Sequence, residues 1–171
     1  MENNFIESEK RGRSMLHTFC QSRNAVGESA TTLYYPIDYF AEFANGKTYA
    51  FEVKVRDLKN YNDVMLSANK VEALNKEIEK HKLDGAYYAC FYDNGRKVLF
   101  FDVVNTKPIR RQWVRIQKTT AEYSQEKVMR EVVFYDIEDG IQMILEDKKY
   151  KYANDKETAK EKGQSSQKRK K

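Results

Sequence analysis

Cysteine and histidine are scarce in this 171-residue chain, with two of each. Cys20 and Cys90 lie far apart and give neither zinc-ligand spacing nor a disulfide framework. His17 and His81 lack metal-ligand spacing too, and suit surface or capping positions. A structural zinc site and a disulfide-built scaffold are thereby excluded, and a reducing cytoplasm is the expected compartment. Long apolar runs are missing as well. Stretches such as Val98 to Phe101 are far too short to span a bilayer, so no membrane partner is expected. The opening MENNFIESEK is polar and acidic, which is not the pattern of a secretory signal. No internal repeat is visible.

What is present suits one globular domain: 40% of residues are apolar and 33% charged. The net charge of +5 is unevenly placed. Residues 148–171 carry ten Lys/Arg against three Asp/Glu, leaving 21 basic and 23 acidic residues in 1–147, a balance of −2. An argument for nucleic-acid binding must therefore rest on where the charge lies. The reading is a folded domain over 1–147 and a basic, disordered tail over 148–171, whose Lys, Glu, Ser and Gln have no apolar period.

Periodicity predicts a helix over 5–22, with Phe5, Ile6, Leu16, Phe19 and Cys20 on one face. Asn24, Gly27 and Ser29 break that pattern. Two β-branched and aromatic runs follow, LYYPIDYFAEF and KTYAFEVKV, with Asn45-Gly46 between them as a hairpin signal. A second helix is predicted over 67–82, with Leu66, Lys70, Leu74 and Ile78 in line. GAYYACFY and RKVLFFDVV form a second hairpin about Asp93-Asn94-Gly95. RRQWVRIQ and KVMREVVFYDI read as two further strands joined by a polar loop, and Gly140 to Leu145 as a short final helix. The fold class is α/β, a mixed central sheet flanked by helices.

The chemistry concentrates in Pro36-Ile37-Asp38 and, after thirteen intervening residues, Glu52-Val53-Lys54. Residues two apart on a strand share a face, so Glu52 and Lys54 project together. A phosphodiester hydrolase needs acidic oxygens for a hard divalent cation, and a cation near the attacking water and the developing phosphorane charge. On these residues the chain resembles the PD-(D/E)XK nuclease superfamily, the restriction-endonuclease-like fold that includes archaeal-type Holliday junction resolvases. The resemblance covers roughly residues 5–104. It implies a DNA endonuclease in which Asp38 and Glu52 bind Mg²⁺, with Mn²⁺ able to substitute, and Lys54 orients the water or steadies the transition state. It further implies DNA as partner, branched DNA included, a homodimer able to cut two strands, and a phage or mobile-element setting inside a host cell.

The chain departs from the family pattern in two ways. The Pro-Asp pair is split by Ile37, and the acid many members carry on the first helix has no clean counterpart. Helical geometry selects Glu9, seven residues before Leu16 and eleven before Cys20, because an acid on the apolar face is costly unless paired or metal-linked. Lys70, in line with Leu66 and Leu74, is the corresponding candidate on the second helix, or a lysine that snorkels from an apolar stripe. The segment KPIRRQWVRIQK supplies Lys107, Arg110, Arg111, Trp113, Arg115 and Lys118 as candidate DNA contacts, with an edge strand guarded by charge as the alternative. Two rival functions remain: a binding protein on the same fold without catalysis, and an assembly protein without a nucleic-acid partner.

Hairpin geometry constrains the site. A two-residue Asn45-Gly46 turn makes paired positions sum to 91, which sets Asp38 opposite Val53 and away from Glu52. A three-residue loop summing to 92, or a distorted strand start just after Pro36, brings the acids together. One of these is expected, with the two carboxylates close enough to share one metal ion.

Overall fold

The computed structural model describes residues 4–30, 37–58, 61–117 and 126–145, with side chains from Glu7 onward. The side chains of Phe5 and Ile6, and the whole of Pro36, Lys118 and the 148–171 tail, lie outside these described parts.

The described chain runs α1 (Asn4–Ser22), β1 (Val26–Ser29), β2 (Tyr39–Glu42), β3 (Thr48–Val55), β4 (Asp63–Ser67), α2 (Ala68–His81), β5 (Gly85–Tyr92), β6 (Lys97–Asp102), β7 (Arg110–Gln117), β8 (Lys127–Asp136) and β9 (Ile141–Ile144). A six-stranded sheet has the order β1-β2-β3-β5-β6-β9, and a three-stranded sheet the order β4-β8-β7. Among the described strands only β3 and β5 pair in parallel, because α2 lies between them in the chain as the crossover that parallel pairing requires. The predicted mixed sheet is present, and β7 and β8, the two strands expected after Pro108, build a second sheet with β4 instead of extending the first.

Each face of the large sheet has its own core. On one side Met15, Leu16, Phe19 and Cys20 of α1 pack on Phe51, Val53, Ala89, Phe91 and Phe100. On the other, Leu74 of α2 and Val64, Leu66, Val133 and Tyr135 of the small sheet pack on Tyr88, Cys90, Leu99 and Phe101. At about 1.5–3 kcal/mol for each large buried side chain, these two layers dominate the stability. Both cysteines are buried, free thiols, and burial pushes Cys20 up to about 12 and Cys90 to about 11.

Three short strands differ from expectation. Val26–Ser29 was expected as a break, yet it pairs with β2. Gly27 belongs there because a Cβ would stand 2.6 Å from both the Phe40 carbonyl oxygen and the Tyr39 ring. Asp63–Ser67 adds a strand just before α2 and pairs with β8. Residues 140–145 do not form a helix: Ile141–Ile144 is a strand on the edge of β6, and Leu145 N–H continues the pairing to Arg96 O at 2.7 Å. Four residues bury too little as an isolated helix, whereas the open edge of β6 satisfies their backbone groups.

Candidate active site

The hairpin between β2 and β3 sets the geometry. Phe43 N–H donates to Lys47 O at 2.8 Å, and Gly46 N–H donates to Phe43 O at 2.8 Å. Gly46 takes φ +76°, so Ala44-Asn45-Gly46 is a three-residue loop closed by a left-handed glycine. The loop sits one residue earlier than expected. Tyr39 pairs with Phe51 and Phe40 with Ala50, so paired positions sum to 90 and not 92. Asp38 lies just outside the regular ladder. Its N–H donates to Phe51 O at 3.0 Å although Tyr39 already faces Phe51, which is the sign of a bulge. Its side chain then takes up the ladder, with Oδ2 accepting the Val53 N–H at 2.9 Å. Loop length and irregular strand start thus act together to aim Asp38 at the β3 triplet.

Gly12 lets α1 cross close above β3, since a Cβ there would meet Val53 Cγ1 at 3.0 Å. Glu9 and Arg13, three residues before and one after Gly12, consequently reach the site. Lys54 Nζ lies 3.7 Å from Glu9 and 3.2 Å from Glu52 Oε1. Lys70 Nζ, from the first turn of α2, lies 2.8 Å from Glu52 Oε2. Arg13 Nη2 lies 3.0 Å from Asp38 Oδ1. The candidates from the two helices, Glu9 and Lys70, therefore join Asp38, Glu52 and Lys54. Arg13 escaped the sequence reading, although its i+4 spacing from Glu9 puts it on the same helical face.

Electrostatics separates the two acids. Burial pushes the Asp38 carboxyl up, but Lys54, Lys70, the Val53 N–H and Arg13 outweigh it and hold the group below its ordinary range. Glu52 is wholly buried. Burial together with the neighbouring Asp38 charge outweighs Lys54 and Lys70, and its carboxyl is raised. Burial alone would lower Lys54, but Glu52, Asp38 and Glu9 reverse this and keep its ammonium protonated more firmly than usual. Glu52 Oε1 is a buried oxygen that receives no well-formed hydrogen bond, despite the Lys54 charge nearby.

Among the described residues no three His, Cys, Asp or Glu side chains form a cluster of metal ligands. Mg²⁺ does not need such a cage, since one or two carboxylates with water and substrate phosphate suffice. Asp38 and Glu52, with an under-bonded Oε1 on the latter, fit that requirement.

The site opens into a groove of about 460 Å³ between β3, the start of α2 and the small sheet. Lys54, Arg56, Lys70 and Arg130 line it with Glu52 at its floor. A second hollow of similar size, among Phe19, Phe43, Tyr49, Tyr87 and Phe100, is aromatic and lies on the α1 face of the sheet, so it is not where the charged groups converge.

Of the basic segment, Lys107 and Arg115 are exposed and Trp113 is 63% exposed. Arg110 stacks over Phe134 at 3.8 Å and pairs with Asp63 at 2.8 Å, and Arg111 reaches Glu131 at 3.6 Å. Their strand, β7, is an edge strand of the small sheet. His81 pairs with Glu77 at 3.1 Å near the end of α2, and His17 bonds the Tyr39 hydroxyl at 2.7 Å.

No family model matches the chain, and no curated protein sequence matches it. Among solved structures that do match is that of Archaeoglobus fulgidus Hjc, a Holliday junction resolvase from an archaeal hyperthermophile. The two are 19% identical, with a TM-score of 0.52 over 79% of this chain and 91% of the other. The likeness is one of fold: this chain has the mixed sheet and flanking helices of the restriction-endonuclease-like class.

Proposed function

We propose that the chain is a Mg²⁺-dependent endonuclease acting on DNA, with branched DNA as its substrate. The observation that carries this reading is the buried Glu52, set beside Lys54 and Lys70 and near enough to the Asp38 carboxylate for the two charges to act on each other. The fold shared with a protein named as a Holliday junction resolvase supports it. Asp38 and Glu52 would hold Mg²⁺, with Mn²⁺ substituting. When bound, the ion supplies Lewis acidity at a phosphate oxygen and a more acidic water.

Each side chain then has a role its environment allows. Lys54, held protonated by three acids, suits a cation facing the developing phosphorane rather than a general base. Lys70 and Lys54 keep the buried Glu52 ionisable. Arg56 and Arg130 on the groove walls suit the phosphates that flank the scissile one. Formal charge agrees: Asp38, Glu52 and Glu9 balance Arg13, Lys54 and Lys70. A divalent ion adds +2, and the doubly negative transition state of phosphodiester hydrolysis brings the total to zero.

A second reading, a non-catalytic DNA-binding protein, draws on those same ion pairs, because every acid of the site already has a protein cation. The deciding experiment is cleavage of supercoiled, linear and four-way-junction DNA in Mg²⁺ or Mn²⁺. Metal-dependent cutting that Glu52→Gln abolishes supports the nuclease; junction binding without cutting by the native chain supports the binding protein.

A further inference from the structure

Both oxygens of the Asp38 carboxylate are taken. Oδ2 accepts the Val53 N–H, and Oδ1 accepts from Arg13 Nη2 at 3.0 Å. The first is backbone and fixed by β3. The second comes from a side chain on another element, and it is the contact that can be exchanged. Arg13 is incompletely bonded where it stands, since its Nε is buried without a hydrogen-bond partner. A guanidinium offers five donors in a planar fork that matches phosphate as well as carboxylate, so its present partner leaves much of that capacity unused.

We infer that Arg13 is an exchangeable latch on the site: it occupies Asp38 Oδ1 in the metal-free protein and passes to a phosphate oxygen of the DNA when a divalent cation takes that oxygen. The inference rests on the nuclease reading for the identity of ion and substrate. The exchange makes metal and DNA binding mutually reinforcing through one side chain. The exchange conserves charge on Asp38, which always faces a cation. It also adds a positive fork at the phosphate, on the α1 side of the hairpin, while Lys70 stands on the α2 side. By linkage, whatever a bound metal contributes to DNA affinity, bound DNA returns to metal affinity.

The test is calorimetric titration of Mn²⁺ into the full chain without DNA, for the native protein, Arg13→Gln, Arg13→Lys and a control, Arg11→Gln. Arg11 sits on the same helix with its guanidinium on the Asn94 carbonyl, away from Asp38. Arg13→Gln should bind Mn²⁺ about tenfold more tightly or better, the scale of removing a unit charge about 5 Å from a divalent cation even at the dielectric of water. Arg13→Lys should show a smaller gain, and Arg11→Gln none. In a parallel measurement, Ca²⁺ should tighten four-way-junction binding by the native chain, and Arg13→Gln should lose most of that tightening. A folded Arg13→Gln, or Arg13→Lys if the first does not fold, that binds Mn²⁺ no better than the native chain overturns the latch. A native chain with no saturable Mn²⁺ binding overturns both the latch and the nuclease reading. Mn²⁺ binding with the expected Arg13 effect but no cleavage of any DNA overturns the nuclease reading alone.

Discussion

Lys70 Nζ lies 2.8 Å from Glu52 Oε2 and ties the first turn of α2 to the middle of the large sheet. Helix α2 begins where β4 ends, with Ser67 as its N-cap, and so the lysine reaches the buried acid from the groove side. Removing Lys70 takes away one of two cations that make the ionised form of Glu52 tolerable. Lys70→Ala should lower cleavage by at least about tenfold, the scale of losing one oriented charge at a site of this kind. Part of the loss should return at higher pH, where Glu52 ionises without help. A variant with native activity and a native pH profile would make Lys70 a bystander.

Asp38→Ala and Lys54→Ala should both abolish cleavage while the protein stays folded, but for different reasons. The first removes a ligand and should weaken Mn²⁺ binding strongly. The second removes the cation facing the reacting phosphate and should not weaken Mn²⁺ binding, while the rate falls by about a hundredfold or more. Equal loss of metal binding in the two variants would contradict the division of roles.

How much of this was legible beforehand follows the range of the interactions. The helices and the β2–β3 hairpin were readable because local period and turn chemistry determine them. Asp38 and the Glu52-Val53-Lys54 triplet were readable because their spacing falls within that hairpin. The register was not: Ala44-Asn45-Gly46, rather than Asn45-Gly46 with Lys47, forms the loop, and a bulge at Asp38 completes the aim. β1, β4 and β9 were missed because strands of four or five residues owe their form to the edge they join. Gly27 looks like a break locally and acts as a close contact only once Tyr39 lies over it. Arg13 went unseen because its partner is 25 residues away.

The two acids should leave opposite marks on stability against pH in the metal-free protein. Asp38 has a lowered folded value, so its stabilisation is present above its ordinary 3.8 and is lost as pH falls through the lowered value. Glu52 has a raised folded value, so between its ordinary 4.5 and that raised value stability increases as pH falls. Difference curves of Tm against pH should show the mildly acidic rise missing in Glu52→Gln and part of the steeper acid loss missing in Asp38→Asn. Parallel curves for native and Glu52→Gln would mean that Glu52 ionises in the fold as freely as in the unfolded chain.

Residues 148–171 should contribute to DNA affinity and not to chemistry. Removing them changes the formal charge from +5 to −2, by deletion of ten basic and three acidic residues. The truncated chain should keep its Tm and its rate at saturating DNA, and lose affinity most at low salt. Unchanged affinity and salt dependence would show that the tail takes no part, and loss of folding would show that the domain extends beyond 147.

The basic strand β7 divides into charges that hold the protein and charges left for a partner. Arg110 is committed: it pairs with Asp63 and lies over Phe134, so Arg110→Glu should cost about 1 kcal/mol of stability through the lost stacking and ion pair. Arg111 has Glu131 at 3.6 Å and is half engaged. Lys107, just before the strand, and Trp113 and Arg115 within it are exposed, and we propose that they carry the DNA contact of this segment. Reversing Lys107 and Arg115 together should leave Tm and Mn²⁺ binding unchanged. It should reduce the slope of log affinity against log salt by about 2, the effect of two lost phosphate contacts. Trp113→Ala should instead weaken binding without changing that slope, since stacking on a base or sugar releases no counterions. If DNA affinity and slope are native in all of these variants, the charges of β7 guard an edge strand against pairing with other chains, and the groove beside Glu52 must bind the DNA without them.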